Sequence, residues 1–303
     1  MAADISLGRP RASEGAELTA GVHMPQAGPA ASHQSLTSAA RHAEELGFTG
    51  IWFSDHLTVQ RGTEYPPSAY IYETVVAMTW VAAATTTIEI GTSILVLPMR
   101  RPVVLGKQLA SLDLLSGGRL IAGVAGGYIK PEFDTLGVPF DERGQRTDEA
   151  IRIMRTLWTE DPITAEFPVH RLMFADMRAQ PQPGRPIPLW VGGHSVPALR
   201  RAAALGDGWH GVTRSDVLDS VLPSAVRQLR KARPEPGFVL SVRAFWDGLD
   251  DDHDTLLRAI EQLRDLGITH IVAEPRQRTE ADYLRSIDRL AELFARAGVV
   301  MAS

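Results

Sequence analysis

The sequence contains no cysteine and little excess of charge, and each absence removes a class of function. Without cysteine in its 303 residues, the chain can form no disulfide, thiolate nucleophile or Cys-based metal site. The formal net charge is -5 and no block of Lys and Arg is present, which argues against nucleic acid or an anionic membrane surface as a partner. The composition therefore favours a protein that handles small molecules.

A long apolar run is also missing, since no segment approaches the roughly 20 consecutive apolar residues of a membrane-spanning helix. Residues 1–18 carry Arg, Glu, Gly and Ser without an apolar stretch of signal-peptide length. We therefore expect a disordered N-terminal tail over 1–18, a single domain over 19–303, no membrane partner and a cytoplasmic location.

What the chain does have is an alternation of strand-like and helix-like segments, the pattern of a parallel sheet with crossover helices. No Gly-x-Gly-x-x-Gly turn follows the first strand, so an α/β TIM barrel with (β/α)8 topology is favoured over a dinucleotide-binding sheet. The predicted strands are 20–26, 49–54, 88–97, 120–126, 188–193, 208–213, 238–245 and 268–274. The predicted helices are 32–46, 73–85, 102–115, 144–159, 195–205, 215–232, 253–266 and 280–297.

One connection is too long for a simple crossover. Residues 160–187, before the fifth strand, are rich in proline and surround a short apolar patch at 172–174. Long insertions on a barrel act as lids or interface arms, although a loop without a function fits the sequence equally well.

Titratable residues follow the second predicted strand. The apolar run 49–54 leads into Asp55 and His56, at the strand end where TIM barrels keep catalytic residues. Imidazole titrates near neutral pH, so the pair suggests a proton-handling site. The alternative is a helix cap or a hydrogen-bonded surface pair without a catalytic role.

Glycine-rich turns follow two later strands. Segment 192–195 (Gly-Gly-His-Ser) opens a predicted helix, and helix-terminal N–H groups beside an unhindered backbone favour a phosphate there. A tight turn with Ser195 as the helix N-cap explains the same residues without a ligand. Gly126 and Gly127 follow the fourth strand, where they either admit a flat ring or only allow the barrel to close.

Histidines also follow several strands, but they do not have the spacing of a metal site. His23, His56, His194 and His210 could approach one another at the barrel mouth. No His-x-His or His-Glu-x-x-His pair accompanies them, so we predict no metal ion.

Taken together, several short motifs resemble the bacterial luciferase-like superfamily, and most of all its branch dependent on the deazaflavin coenzyme F420. The resemblance extends over about residues 20–298 and implies a (β/α)8 barrel with an insertion before the fifth strand. The motifs, in chain order, are Ile-Trp-Phe-Ser-Asp-His at 51–56, Gly-Thr-Ser-Ile-Leu at 91–95, segment 117–127, Gly-Val-Pro-Phe at 137–140 with Arg143-Gly144, Leu157-Trp158, Pro-Leu-Trp-Val-Gly-Gly at 188–193 and Leu-Gly-Asp-Gly-Trp at 205–209.

The resemblance also implies roles for individual residues. His56 would donate or accept a proton beside the deazaflavin ring, and Ser93-Ile94 would form a bulge with a non-proline cis peptide that supports this ring. The catalytic candidates are His56, Asp55 and Tyr128. The cofactor-binding candidates are His23, Asp55, Ser93, Ile94, Gly126, Gly127, Gly192, Gly193, His194 and Ser195.

At Tyr128 the sequence differs from one group of enzymes in that branch. The sugar-phosphate dehydrogenases have a glutamate at this position and lysines for the sugar phosphate that have no evident counterpart here, so glucose 6-phosphate is disfavoured as a substrate. Tyr128 either stacks on or hydrogen-bonds to a substrate, or packs at the barrel mouth without a catalytic role.

We therefore expect a homodimeric, F420-dependent oxidoreductase that moves a hydride to or from a small organic substrate, with His56 moving the proton. The first alternative is a monooxygenase that uses reduced FMN, and the second is a flavin-binding protein without catalysis. Basic residues at the rim of the phosphate turn, among them Arg100, Arg101 and Lys130, would favour the longer anionic tail of F420.

Overall fold

The computed structural model describes residues 17–62, 66, 68–213 and 221–302, and its main sheet is built of parallel strands. Their sequences are strongly apolar, and β2 is buried at every residue, as expected where helices cover one face and the barrel interior the other. The strands are β1 (Thr19–His23), β2 (Gly50–Phe53), β3 (Glu89–Thr92), β4 (Leu95–Val96), β5 (Leu120–Ala125), β6 (Ile163–Phe167), β7 (Leu172–Met177), β8 (Leu189–Gly192), β9 (Gly208–Thr213), β10 (Val239–Ala244) and β11 (His270–Ala273).

The main sheet closes on itself. β1 pairs with both β2 and β11, and β3 pairs with β5 through Ile90 and Leu120. β4 continues the line of β3 beyond Ser93-Ile94 and also pairs with β5. The predicted (β/α)8 TIM barrel and its eight strand positions are confirmed, although the third predicted strand is interrupted at 93–94.

Helices cover the outside of the barrel, and their ends follow local sequence signals. Ser32 caps the first helix by accepting a hydrogen bond from the backbone N–H of Ser35, and Gly47 ends it with a left-handed φ of 81°. The helices are α1 (His33–Glu45), α2 (Thr74–Ala82), α3 (Pro102–Leu115), α4 (Lys130–Thr135), α5 (Arg143–Thr159), α6 (Val196–Leu205), α7 (Val221–Ala232), α8 (His253–Asp265) and α9 (Glu280–Arg296).

Aromatic rings fill the barrel interior. Trp52 stacks on Trp190 and on His210, with ring centroids 5.1 and 5.4 Å apart. A Cβ at Gly21 or Gly91 would lie within 2.5 Å of the Trp52 ring, so the indole occupies space that glycines leave open. The interior is therefore a packed core, and a ligand can enter only at an end of the barrel.

The insertion predicted at 160–187 contains an antiparallel hairpin, β6 and β7, which the sequence analysis did not predict. The carboxylate of Glu149 on α5 accepts hydrogen bonds from the backbone N–H groups of Val169 and His170. Arg178 pairs with Asp161 across the base of the hairpin. The insertion is therefore an ordered β-hairpin that is hydrogen-bonded to α5.

One predicted boundary differs from the structure, and one short helix was not predicted. Leu18, assigned to a disordered tail, is buried, and its carbonyl accepts a hydrogen bond from Val300; residues 1–16 lie outside the described residues. The start of the predicted helix 215–232 also lies outside them. The short helix α4 was not predicted. Within the described ranges, no helix has the length and apolarity needed to cross a bilayer.

Candidate active site

A cavity of about 1140 Å³ opens at the carboxyl ends of the barrel strands. This is the end at which TIM barrels hold their catalytic residues. Every predicted site residue except His23 lines it, namely Asp55, His56, Ser93, Ile94, Gly126, Gly127, Tyr128, Gly192, Gly193, His194 and Ser195. The topology therefore brings together residues that are as much as 140 positions apart in sequence.

His23, a predicted cofactor-binding residue, is the exception because it does not line the cavity. Its ring is buried, with Nε2 2.8 Å from the hydroxyl of Ser54, which does line the cavity. Nδ1 lies 3.3 Å from the side-chain amide of Gln277. Burial, together with the positive charge of Arg243, lowers the pKa of His23 well below its usual value. His23 therefore supports the cavity wall as a neutral imidazole.

Asp55 is held by an extensive set of hydrogen bonds. The guanidinium of Arg100 donates to both carboxylate oxygens, at 2.9 and 2.5 Å, and Thr74 and the backbone N–H of Val96 donate to them at 3.0 Å. Arg100 also pairs with Glu73 at 2.7 Å. Since both oxygens of Asp55 accept from fixed donors, this carboxylate anchors the segment that carries His56.

His56 faces a second carboxylate, which the sequence analysis missed. Its Nδ1 lies 3.3 Å from Oε2 of Glu132, a residue of α4. Both side chains are buried, with exposed fractions of 8% and 4%. The cavity-lining imidazole is therefore in contact with a carboxylate that comes from a different strand–helix connection.

The bulge between β3 and β4 forms part of the cavity floor. The peptide between Ser93 and Ile94 is cis, which confirms the prediction made from the motif at 91–95. The Ser93 carbonyl accepts a hydrogen bond from Arg243 at 2.9 Å, and the Ser93 hydroxyl lies 2.8 Å from Nε2 of His210. Nδ1 of His210 lies 2.8 Å from the hydroxyl of Ser241, so strands β9 and β10 hold the bulge from below.

The turn at 192–195 lines the cavity, and its shape depends on two glycines. A Cβ at Gly192 would lie 2.3 Å from Cδ1 of Ile94, and Gly193 has a φ of 106°, which other residues rarely adopt. Ser195 caps α6 by accepting a hydrogen bond from Ala198. Ser195, Pro197 and Ala198 line the cavity, so the positive end of the α6 dipole lies at this end of it.

Two arginines that were not among the site predictions line the same end of the cavity. Arg201 on α6 pairs with Asp148 at 2.5 Å, and Arg143, at the start of α5, lies over the ring of Phe140 with its guanidinium carbon 4.0 Å from the ring centroid. Each guanidinium has five N–H donors, more than these contacts use. Arg143 could have been found from the sequence, because it belongs to the Arg143-Gly144 motif. Arg201 could not, because it lies in an ordinary helical pattern.

The rim arginines and lysine suggested by the sequence do not line the cavity. Arg100 is committed to Asp55 and Glu73, and Lys130 pairs with Asp134 on the outer surface of α4. Tyr128 does line the mouth and is 71% exposed. In the described part of the chain, no group of three or more His, Asp or Glu side chains has the arrangement of a metal site.

The model of the luciferase-like monooxygenase family matches residues 15–299. An uncharacterised protein of Mycobacterium tuberculosis is 32% identical over 246 residues, which cover 77% of this chain and 82% of that protein. The F420-dependent glucose-6-phosphate dehydrogenase of Kineococcus radiotolerans is 33% identical over 179 residues, which cover 57% of this chain and 51% of that enzyme.

Solved structures show the same fold at low sequence identity. An F420-dependent secondary alcohol dehydrogenase, in complex with an F420–acetone adduct, superposes with a TM-score of 0.75 at 18% identity, covering 93% of this chain and 99% of the other. The monooxygenase RslO1 from Streptomyces bottropensis also gives a TM-score of 0.75, at 19% identity and with coverage of 92% and 99%. With its closed barrel, its cavity at the carboxyl ends of the strands and the family match over nearly its whole length, the chain belongs to the luciferase-like monooxygenase family.

Proposed function

We propose that this protein is an oxidoreductase that uses F420 to move a hydride to or from a small organic substrate. The observation that carries the proposal is the cavity itself, which has a carboxylate-paired imidazole at one end and a cationic, glycine-rich helix N-terminus at the other. The relatives named as F420-dependent support the choice of coenzyme.

The residues at the helix end of the cavity fit an anionic coenzyme. The turn at 192–195 lines the cavity, and α6 begins directly after it, so the positive end of the helix dipole would face a bound anion. Arg143 and Arg201 add positive charge beyond this turn, which suits a tail with more than one anionic group. The volume also exceeds the upper range of common small-molecule pockets, about 1000 Å³.

The chain's own residues would position the reactants and move the proton. When bound, F420 supplies or accepts the hydride. His56 exchanges the matching proton with the substrate oxygen or carbon, because an imidazole changes charge near neutral pH. Asp55 and Arg100 fix the segment that carries His56. Tyr128 and Phe245, both partly exposed at the cavity mouth, would contact the substrate.

A side-by-side binding and turnover experiment tests the proposal. The purified protein is titrated with F420 and with FMN, and hydride transfer is then followed by F420 absorbance with secondary alcohols, ketones, activated alkenes and glucose 6-phosphate. We expect tighter binding of F420 and transfer with at least one uncharged substrate. Preferential FMN binding with oxygen-dependent turnover would establish the monooxygenase alternative, and binding without any transfer would favour the non-catalytic one.

We also propose that the protein is a homodimer that associates through the outer surface of α2 and α3. This surface carries several exposed apolar side chains, among them Trp80, which is 50% exposed. An isologous contact buries the same patch on both copies, so one such surface is sufficient. The exposed apolar residues are Val76, Trp80, Val104 and Leu115.

Two matched substitutions test this interface by sedimentation velocity. Trp80→Glu places a charge in the α2–α3 surface and should convert the dimer to monomers. Met173→Glu places the same charge on β7, where Met173 is 74% exposed, and should leave the dimer intact. Dissociation by Met173→Glu alone would identify the hairpin as the interface arm instead.

A further inference from the structure

Glu132 carries a buried carboxylate that contacts the imidazole of His56. Oε2 lies 3.3 Å from Nδ1 of that ring. Oε1 is buried and has no hydrogen-bond partner among the described residues. A buried carboxylate oxygen without a partner is costly, and such groups in folded proteins are commonly explained by a functional role.

The position of Glu132 is fixed by the packing of α4. Pro131 lies in the first turn of this helix, and Phe133, next to Glu132, is fully buried against Val96 and Met99. The ring of Phe133 also packs edge-on against Phe140, with the centroids 5.1 Å apart. The carboxylate is therefore presented to His56 by a rigid element.

Two other titratable groups near His56 are either hydrogen-bonded elsewhere or neutral. Asp55 precedes it in the chain, but both oxygens of Asp55 accept hydrogen bonds from Arg100. His23 is held neutral, since burial lowers its pKa well below the usual value. Glu132 is thus the acidic group in direct contact with the His56 ring.

We infer that Glu132 is a positioning residue that holds His56 in the Nδ1–H tautomer, so that Nε2 is the nitrogen that exchanges a proton with the substrate. This inference rests on the proposed function for its catalytic meaning. A carboxylate at Nδ1 orients the ring and stabilises the imidazolium whenever Nε2 takes up a proton. Glu132 itself does not touch the substrate.

The first test is made on the protein without coenzyme or substrate. Histidine labelled with ¹⁵N reports the tautomer and the titration of each ring by NMR, and a His56→Gln variant identifies the His56 signals. We expect an Nδ1–H tautomer in the parent protein. In Glu132→Gln, which removes the charge but keeps the size, the His56 titration midpoint should move to lower pH, because the imidazolium loses its neighbouring negative charge.

The second test measures single-turnover hydride transfer with the coenzyme-loaded protein. Glu132→Gln should slow transfer by about 10- to 100-fold, as when groups that orient a metal-bound histidine are removed, and should move the midpoint of the pH–rate profile to lower pH. Glu132→Asp, which keeps the charge, should recover part of both effects. Asp134→Asn, on the same helix but 58% exposed, should change neither.

The two tests fail in different ways. An Nε2–H tautomer, or a His56 titration that is the same in the parent and in Glu132→Gln, would overturn the inference whatever the rates are. If the NMR results are as expected but no substrate supports hydride transfer, the Glu132–His56 pair stands and the proposed function falls. Thermal unfolding of each variant shows whether a rate loss reflects a damaged fold.

Discussion

Two of the histidines that border the cavity, His56 and His210, have different surroundings. His56 has a carboxylate, Glu132, at Nδ1, whereas both ring nitrogens of His210 lie 2.8 Å from serine hydroxyls. His210 also stacks on Trp52 with an interplanar angle of 4°. Burial lowers the pKa of His210 to about 3, so this imidazole remains neutral at physiological pH.

The difference shows how one side chain serves two purposes in one barrel. A hydroxyl can donate to or accept from a neutral imidazole, so the pair with Ser93 and Ser241 is satisfied without charge. A carboxylate only accepts, and it stabilises the ring most when the ring is protonated. The floor of the cavity therefore holds a neutral histidine, His210, whereas His56 lies against a carboxylate.

The largest effect that follows from this comparison is the loss of His56. His56→Ala should slow single-turnover hydride transfer by about 10²- to 10⁴-fold, because positioned acid–base groups contribute that much to rate. The affinity for F420, measured by fluorescence titration, should fall much less. Equal losses of affinity and rate would make His56 a binding residue, and an unchanged rate would move the proton-transfer role to Tyr128.

The second effect concerns stability and tests the neutral state of His210. In the unfolded chain a histidine binds its proton near pH 6.5, whereas folded His210 does so only near pH 3. Between these values the unfolded chain binds more protons, so the free energy of unfolding falls as the pH is lowered. The slope from this one residue is about 1.4 kcal/mol per pH unit.

Neighbouring groups add to this slope or oppose it. His270, whose pKa is lowered to about 3 by burial, contributes in the same direction. Glu89, whose pKa burial raises to about 7, opposes it, since the folded state then binds its proton before the unfolded state does. Comparison of variants isolates the contribution of one residue from this sum.

Urea unfolding between pH 6 and 4.5 makes that comparison. His210→Gln keeps hydrogen-bonding groups near Ser93 and Ser241 but removes the titration, so its stability should depend on pH less steeply than that of the parent by about 1.4 kcal/mol per unit. His33→Gln, on the exposed surface of α1, should leave the slope unchanged. If the free energy of unfolding depends on pH equally steeply in His210→Gln and in the parent, His210 is protonated in the folded protein.

The sequence was sufficient to locate the barrel because each strand is a short apolar run that ends in glycine or a polar residue. Segment 120–125 is nearly all buried, and such runs are characteristic of parallel strands. Strand order then follows from the fold, which places Asp55 and Gly192 at the same end. This explains why predicted residues from distant segments meet in one cavity.

The residues that the sequence did not reveal depend on contacts across the fold. Glu132 lies in a short helix with the sequence Lys-Pro-Glu-Phe-Asp-Thr, which does not differ from that of an ordinary surface turn. Its carboxylate contacts His56 because Phe133 packs into the protein and sets the orientation of the helix. Arg201 sits in a regular helix, where an arginine is usually solvated. The hairpin at 163–177 was missed because its strands are only partly buried and lack a clean alternation.

The smallest expected effect separates coenzyme binding from proton transfer. Gly193 has a φ of 106°, and a Cβ there would lie 3.0 Å from Cβ of Ala198 on α6. Gly193→Ala should therefore shift the turn that opens α6, weakening F420 binding several-fold and lowering stability by about 1 kcal/mol. At saturating F420, however, the rate of hydride transfer should stay close to that of the parent. This is the reverse of the pattern expected for His56→Ala, which should lose rate more than affinity.

Gly117→Ala is the matched control, since Gly117 has a φ of 75° and open space around it at the opposite end of the barrel. It imposes a similar backbone strain without approaching the cavity. If both variants lose affinity equally, the effect of Gly193→Ala is one of general stability, and the phosphate of the coenzyme lies elsewhere. If only Gly193→Ala loses affinity, the turn at 192–195 binds the coenzyme, and proton transfer is assigned to the separate Glu132–His56 pair.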